Sequence, residues 1–198
     1  MIKFNNMSQE PPYEVFKNLY KKSLRKNQKN IEAICIASYS KKDKEAHARY
    51  VNLKFVNGKE FIFFTNYNSP KANDFLDHDQ ITGLIYWNSI NVQIRIKGYI
   101  KKTSQDFNQA YFAKRNIKKN ALAISSNQSS VIGSYDEIKD SFIRTLREAN
   151  LTQCPKYWGG YFFLPYYFEF WEGHEDRINK RKVFEQTDSG WNEFFLEP

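Results

Sequence analysis

A chain of 198 residues, 41% hydrophobic and 26% charged, is long enough for a buried core, and nothing in its length argues for dividing it, so residues 1–198 are expected to form a single domain. Its formal net charge of +8 favours an anionic partner, which leaves nucleic acid, an anionic membrane surface or a phosphorylated small molecule. No apolar run approaches the roughly 20 residues that span a bilayer, the start MIKFNNMSQEPPYEV lacks the apolar centre of a secretory signal, and Cys35 and Cys154 lack metal or redox spacing, so the expectation is a cytoplasmic protein with reduced thiols and no metal.

The aromatic content, 17 Phe, 13 Tyr and 4 Trp, leans toward sheet, because flat rings pack well on pleated surfaces. Residues 1 to 12 read as a flexible, linker-like segment ending at Pro11-Pro12. Val15, Phe16, Leu19, Tyr20 and Leu24 then recur at helical spacing and predict an amphipathic helix over 13–27. After it the period changes: 31–38, 48–56, 60–66, 81–87 and 91–102 are short, rich in Ile, Val, Phe and Tyr, and read as strands, with Asn57-Gly58 as a hairpin turn.

Helices interrupt the strands. Ser69-Pro70-Lys71 places a capping residue before a proline at the first helical position. Ser104 opens a helix to about Asn116, and Ser134 with Glu137 forms a capping box whose helix turns Ile138, Phe142 and Leu146 toward the core. Strands return at 157–171, 181–186 and 190–196. Many strands, few helices and no regular alternation predict a mainly β fold with added helices, an antiparallel barrel and not a doubly wound sheet.

Tyr111, Arg115 and Lys119 fall at i, i+4 and i+8, one face of a helix if it persists that far. A hydroxyl, a guanidinium fork and an ammonium on one stripe suit a phosphate; from spacing alone, a solvated basic face is the plainer reading. The helix start at Ser69-Pro70-Lys71, with Thr65 upstream, is a second candidate anion site. Gln128-Ser129-Ser130 lies in a polar loop between two helices, while Trp171 leads into Arg177 and Arg181. Aromatic planes beside arginines also suit base stacking, so residue type leaves nucleic acid open at this point. No Ser-His-Asp, Cys-His or paired-carboxylate arrangement and no glycine-rich phosphate loop stands out, so a cofactor would have to bring the reactivity.

In order along the chain, Arg49-Tyr-Val-Asn-Leu-Lys54, Phe63-Phe-Thr-Asn66, Ser69-Pro-Lys-Ala72, Gln93 in VQIRIKG, Tyr111-Phe112 with Arg115, Gln128-Ser-Ser130, Tyr157-Trp-Gly-Gly160, and Phe170-Trp171 with Gly173, Arg177 and Arg181 resemble the pyridoxine/pyridoxamine 5'-phosphate oxidases. The resemblance covers roughly residue 30 to the C-terminus. It implies a split β-barrel and a homodimer with FMN at the subunit interface, the strands of 157–198 completing the flavin and substrate site. It places Arg49, Lys54, Phe64, Thr65, Lys71, Gln93, Gln128, Ser129, Trp171 and Arg181 around the flavin. It places Lys54, Tyr111, Arg115, Lys119, Arg177 and Asn179 around the substrate, with Arg177 orienting it for catalysis.

The activity implied is oxidation at C4' of pyridoxamine or pyridoxine 5'-phosphate to pyridoxal 5'-phosphate, with hydride passing to FMN and dioxygen reduced to hydrogen peroxide. The alternatives are another flavin split-barrel oxidoreductase with a different substrate, or a basic nucleic-acid-binding module. The chain departs from the family pattern at four places. Pro70 replaces an arginine offered to the FMN phosphate, Lys119 a phosphate-binding serine, Asn179 a histidine, and the N-terminal arm lacks the segment that closes over the substrate.

Overall fold

The computed structural model describes residues 1–198. Strands β2 (Ala33–Ser40), β3 (Glu45–Asn57), β4 (Glu60–Asn66), β5 (Gln80–Trp87), β6 (Val92–Lys102) and β7 (Trp158–Glu172) form a closed antiparallel ring. β3 pairs with β2 and β4, β4 with β7, β7 with β6, β6 with β5, and β5 returns to β2. The expected antiparallel split barrel is therefore the architecture found. Beyond the ring, β8 (Lys180–Thr187) and β9 (Gly190–Leu196) extend the sheet from the second half of β7.

Period-two patterning decides which side chains fill the ring. On β6, Val92, Ile94, Ile96 and Ile100 are buried, while Gln93, Arg95 and Lys97 alternate with them on the other face. Phe61, Phe63, Phe163, Phe168 and Phe170 are among the largest side chains buried in the core, each contributing about 1.5–3 kcal/mol by burial. Helix α1 (Pro11–Arg25) covers this core with Tyr13, Phe16 and Tyr20; Phe16 meets Phe61 edge-on at 5.1 Å and Trp87 at 5.6 Å. At Gly98 the β6–β7 register shifts, and a Cβ there would sit 2.6 Å from the carbonyl oxygen of Leu164, so only glycine allows that approach.

Three expectations about the elements need correction. The first dozen residues are not a loose linker: β1 (Lys3–Asn5) pairs in parallel with β3, Ile2 is buried, and Pro11-Pro12 begin α1. Proline at the first helical positions costs no hydrogen bond, so a pair that looked like a boundary is a helix start. The helix from Ser104 ends early, as α3 (Gln105–Lys114), and a separate α4 (Ile117–Ser125) follows, because the Asn116 side chain accepts from the N–H groups of Lys118 and Lys119 and so starts a new helix. Helix α5 (Tyr135–Glu148) buries no residue fully. Its Ile138, Phe142 and Leu146 are half-buried and α5 packs on α4, not on the barrel core. The Asn57-Gly58 turn is as expected, with Gly58 at φ +56° where β3 turns into β4.

Candidate functional site

The end of β4 and the start of α2 (Pro70–Asp77) build a polar corner. Lys71 is 7% exposed, yet no carboxylate pairs with it. Its Nζ donates to Thr65 Oγ1 at 3.1 Å, Ser69 Oγ at 3.1 Å and Gln128 Oε1 at 3.2 Å. Burial and the nearby Arg49 charge push its pKa down to about 8, with Asp74 opposing. Thr65 Oγ1 and the Asn66 backbone N–H also donate to Gln128 Oε1, so three donors converge on one amide oxygen. Donors so arranged suit an anion's oxygen. Ser69 occupies the cap position but its hydroxyl donates to the Asn66 carbonyl, leaving the helix start uncapped by a side chain.

Arg49, on β3, is held beside this corner. Its Nη1 donates to Ser38 Oγ at 2.6 Å and its Nη2 lies 3.4 Å from Asp74 Oδ2. Asp74, 4% exposed, also receives Ser38 Oγ at 2.6 Å and sits 3.1 Å from His47 Nδ1. Burial alone would raise the Asp74 carboxyl, but these partners hold it below its ordinary value.

A cavity of about 790 Å³ opens from this corner, within the roughly 300–1,000 Å³ of small-molecule and cofactor sites. Lys3, Arg49, Lys54, Lys71, Lys114, Arg115 and Lys119 line it, and no aspartate or glutamate does. Phe64, Thr65, Tyr111, Gln128 and Ser129 complete the expected residues found there. The stripe Tyr111–Arg115–Lys119 is thus correct as a cluster and wrong as one helix face: Arg115 has extended backbone (φ −78°, ψ 154°) in the break between α3 and α4. Parallel aromatic rings hold the group instead. Phe64 stacks on Tyr111 at 3.9 Å and on Trp158 at 5.2 Å, and the Arg115 guanidinium lies 5.0 Å from the Trp158 ring centroid. Burial lowers the Lys54 ammonium, and the Arg115 and Lys119 charges add to that, while Glu32 at 3.7 Å opposes them.

The other expected residues lie on a different surface of the same chain. Gln93, Trp171 and Arg181 are register partners across β6, β7 and β8, so their side chains share one face of the sheet. Arg181 donates through Nε to Glu169 Oε1 at 2.9 Å, and Arg95 donates to Glu169 Oε2. Burial raises this nearly inaccessible carboxylate, and the two arginines more than offset it, leaving Glu169 below its ordinary value. Arg177 is exposed in the β7–β8 loop at φ +62°; Asn179 accepts from the His174 N–H at 3.1 Å in the same loop. Neither lines the cavity.

Sequence reasoning missed Asp74, Glu32, Glu169 and Asn120, which contact cations of the expected site, and His47, which contacts Asp74. The signal of the four that meet a cation is weak in sequence because each does so from outside the element that carries it. Glu169, inside the apolar run YYFEFW, was the most legible, since a carboxylate in a buried strand requires a partner.

Comparison with known proteins adds to this geometry. A family model described as pyridoxamine 5'-phosphate oxidase matches residues 21–146, and one described as the pyridoxine 5'-phosphate oxidase C-terminal dimerisation region matches residues 158–198. Pyridoxine/pyridoxamine 5'-phosphate oxidase 1 of Hydrogenovibrio crunogenus is 34% identical over 96% of this chain and 89% of its own. The pyridoxine/pyridoxamine 5'-phosphate oxidase of Pseudomonas syringae pv. tomato is 30% identical over 96% and 90%. Among solved structures, PhzG from Burkholderia lata 383, in complex with tetrahydrophenazine-1-carboxylic acid, superposes with a TM-score of 0.89 at 21% identity, covering 96% of this chain and 93% of that one. At that identity the likeness concerns the fold.

Proposed function

Because the chain belongs to the pyridoxine/pyridoxamine 5'-phosphate oxidase family, we propose that it is an FMN-dependent oxidase that converts pyridoxamine or pyridoxine 5'-phosphate to pyridoxal 5'-phosphate, with dioxygen reduced to hydrogen peroxide. The observation that carries the proposal is the cavity whose lining holds seven cations, Lys3 to Lys119, and no carboxylate. Two phosphate groups, each carrying roughly −1.5 to −2 at neutral pH, would offset about half of that positive charge.

The residues fit the flavin at one place above all. Lys71, Thr65 and the Asn66 N–H present converging donors at the start of α2, and Lys71 has no carboxylate to neutralise it. Arg49, Lys71, Thr65, Gln128 and Ser129 would hold the FMN phosphate, with Lys54 and Phe64 nearer the ring. When bound, FMN supplies the two-electron acceptor that dioxygen reoxidises. Lys54, Tyr111, Arg115 and Lys119 would grip the substrate phosphate, which leaves the substrate's C4' carbon to be positioned by fixed geometry. Cations beside the flavin ring favour its reduced, anionic form.

Gln93, Trp171, Arg181, Arg177 and Asn179 stand outside the cavity of their own chain. We assign them to the cavity of a second copy, so that a homodimer completes two sites; the match of residues 158–198 to a dimerisation region supports this. Arg177 would then orient the substrate from across the interface. The place of Pro70 beside Asn73, Asp74 and Gln128 leaves the flavin phosphate one arginine short of the family pattern, with Arg49 and Lys71 carrying the charge.

The test is to purify the protein, record its visible spectrum, and add pyridoxamine 5'-phosphate without oxygen. Bleaching of a bound flavin supports the oxidase. A flavin that stays oxidised moves the substrate elsewhere, toward ring acids such as the one PhzG holds; a colourless protein that refuses added FMN overturns the reading.

A further inference from the structure

Arg115 sits where helical order fails, between α3 and α4, yet its guanidinium is closely confined. Its Nη1 donates to the Lys119 carbonyl at 2.7 Å and to Asn120 Oδ1 at 3.0 Å, while its plane lies over Trp158. These contacts use both Nη1 hydrogens and leave the Nε–H and both Nη2–H donors without a protein partner, on a residue that lines the cavity. No carboxylate pairs with it.

Asn120 is 1% exposed and every polar atom of its side chain is engaged. Its Nδ2 donates to the Phe112 carbonyl at 2.8 Å, in the last turn of α3, and to the Leu151 carbonyl at 2.8 Å, beyond α5. Only the amide nitrogen can serve two carbonyls and only the oxygen can accept from an arginine, so the network fixes which way the carboxamide faces. Trp158, 5% exposed, is equally confined by its stack with Phe64.

We propose that Asn120 and Trp158 are positioning residues: together they aim the free edge of Arg115 at the ligand's phosphate, taking the place of the helix that stops one residue earlier. This rests on the reading of the cavity as a site for phosphorylated substrates. Neither residue lines the cavity itself. Their effect passes through Arg115 alone, and it should be confined to substrates that carry the phosphate.

The experiment compares the wild-type holoenzyme with Asn120→Ala, Trp158→Phe, Arg115→Ala and the Asn120→Ala/Arg115→Ala double variant, using pyridoxamine 5'-phosphate and unphosphorylated pyridoxamine. Asn120→Ala should raise KM for the phosphorylated substrate by about tenfold with a smaller change in kcat. It should leave flavin content and kcat/KM for pyridoxamine unchanged, and add nothing in the Arg115→Ala background. Trp158→Phe keeps a ring in the stack and should show the same selective change at smaller size, which decides the matter if Asn120→Ala does not fold. Equal losses on both substrates, or losses that add to those of Arg115→Ala, would overturn the positioning role. A wild-type enzyme that does not distinguish the two substrates would overturn the reading of the cavity as well.

Discussion

Lys71 and Gln128, 57 positions apart in sequence, meet at 3.2 Å, and the amide oxygen of one partly satisfies the buried ammonium of the other. A neutral oxygen compensates a buried charge poorly, which is why the Lys71 pKa falls to about 8. In the unfolded chain it would titrate near 10.5. Between those values the unfolded state binds more protons, so the Lys71 contribution to stability rises as pH increases from about 8 to 10.5. Lys71→Met should stabilise the flavin-free protein at pH 7 by on the order of 2 kcal/mol and flatten that rise, as read by thermal melts at pH 7 and 9.5.

The same charge has the opposite effect on ligand binding. An anion bound at Lys71 raises its pKa, so affinity for FMN should fall as pH rises above about 8. Titration of flavin fluorescence against pH checks this; Lys71→Met should bind FMN weakly at every pH and lose the slope.

Pro70 shares a polar cavity with Asn73, Asp74 and Gln128 at the start of α2. Pro70→Arg would return a guanidinium to the corner where the family carries one, and should lower the FMN dissociation constant about tenfold. The lost proline rigidity costs about 0.4–1 kcal/mol of stability. Tighter flavin with a slightly lower melting temperature is the expected pair of results.

Glu169 is a nearly inaccessible carboxylate between Arg95 and Arg181, two arginines that still reach water. Glu169→Ala should cost about 2–3 kcal/mol, below the roughly 3–5 of a fully buried pair. Because the folded Glu169 is held below 4.5, its contribution is present above that pH and is lost as pH falls through the folded value. Urea unfolding at pH 7 and pH 4 should therefore show the gap between wild type and variant narrowing in acid.

Gly159 lies against Tyr67 and Asn108. A Cβ there would collide with the Tyr67 hydroxyl and the Asn108 amide nitrogen, which are bonded to each other. Gly159→Ala should destabilise by about 1–3 kcal/mol through that overpacking, measured as a shift in urea midpoint at constant m-value.

The elements most legible in sequence were those whose own pattern carries the signal. β4 over Glu60–Asn66 and β9 over Gly190–Leu196 fall where the alternation and turn residues placed them. The order of motifs along the chain was enough to imply the split barrel, because each motif is local. The helix break at Arg115 was less legible: Tyr111, Arg115 and Lys119 have helical spacing, and only the competing cap of Asn116 interrupts it.

The sequence by itself determined the net positive charge, the order of motifs that carries the resemblance, and most of the strands and turns, since these follow from composition and short-range patterning. Tertiary structure alone decided how those residues divide: Arg49, Lys54, Lys71 and Arg115 around one cavity, and Gln93, Trp171 and Arg181 on another face. It also decided who holds them. Asp74 meets Arg49 across 25 positions and Glu169 meets Arg95 across 74, and no local period encodes a contact between residues so far apart, because the packing of α2 on the sheet and the pairing of β6 with β7, not the local chain, bring them together.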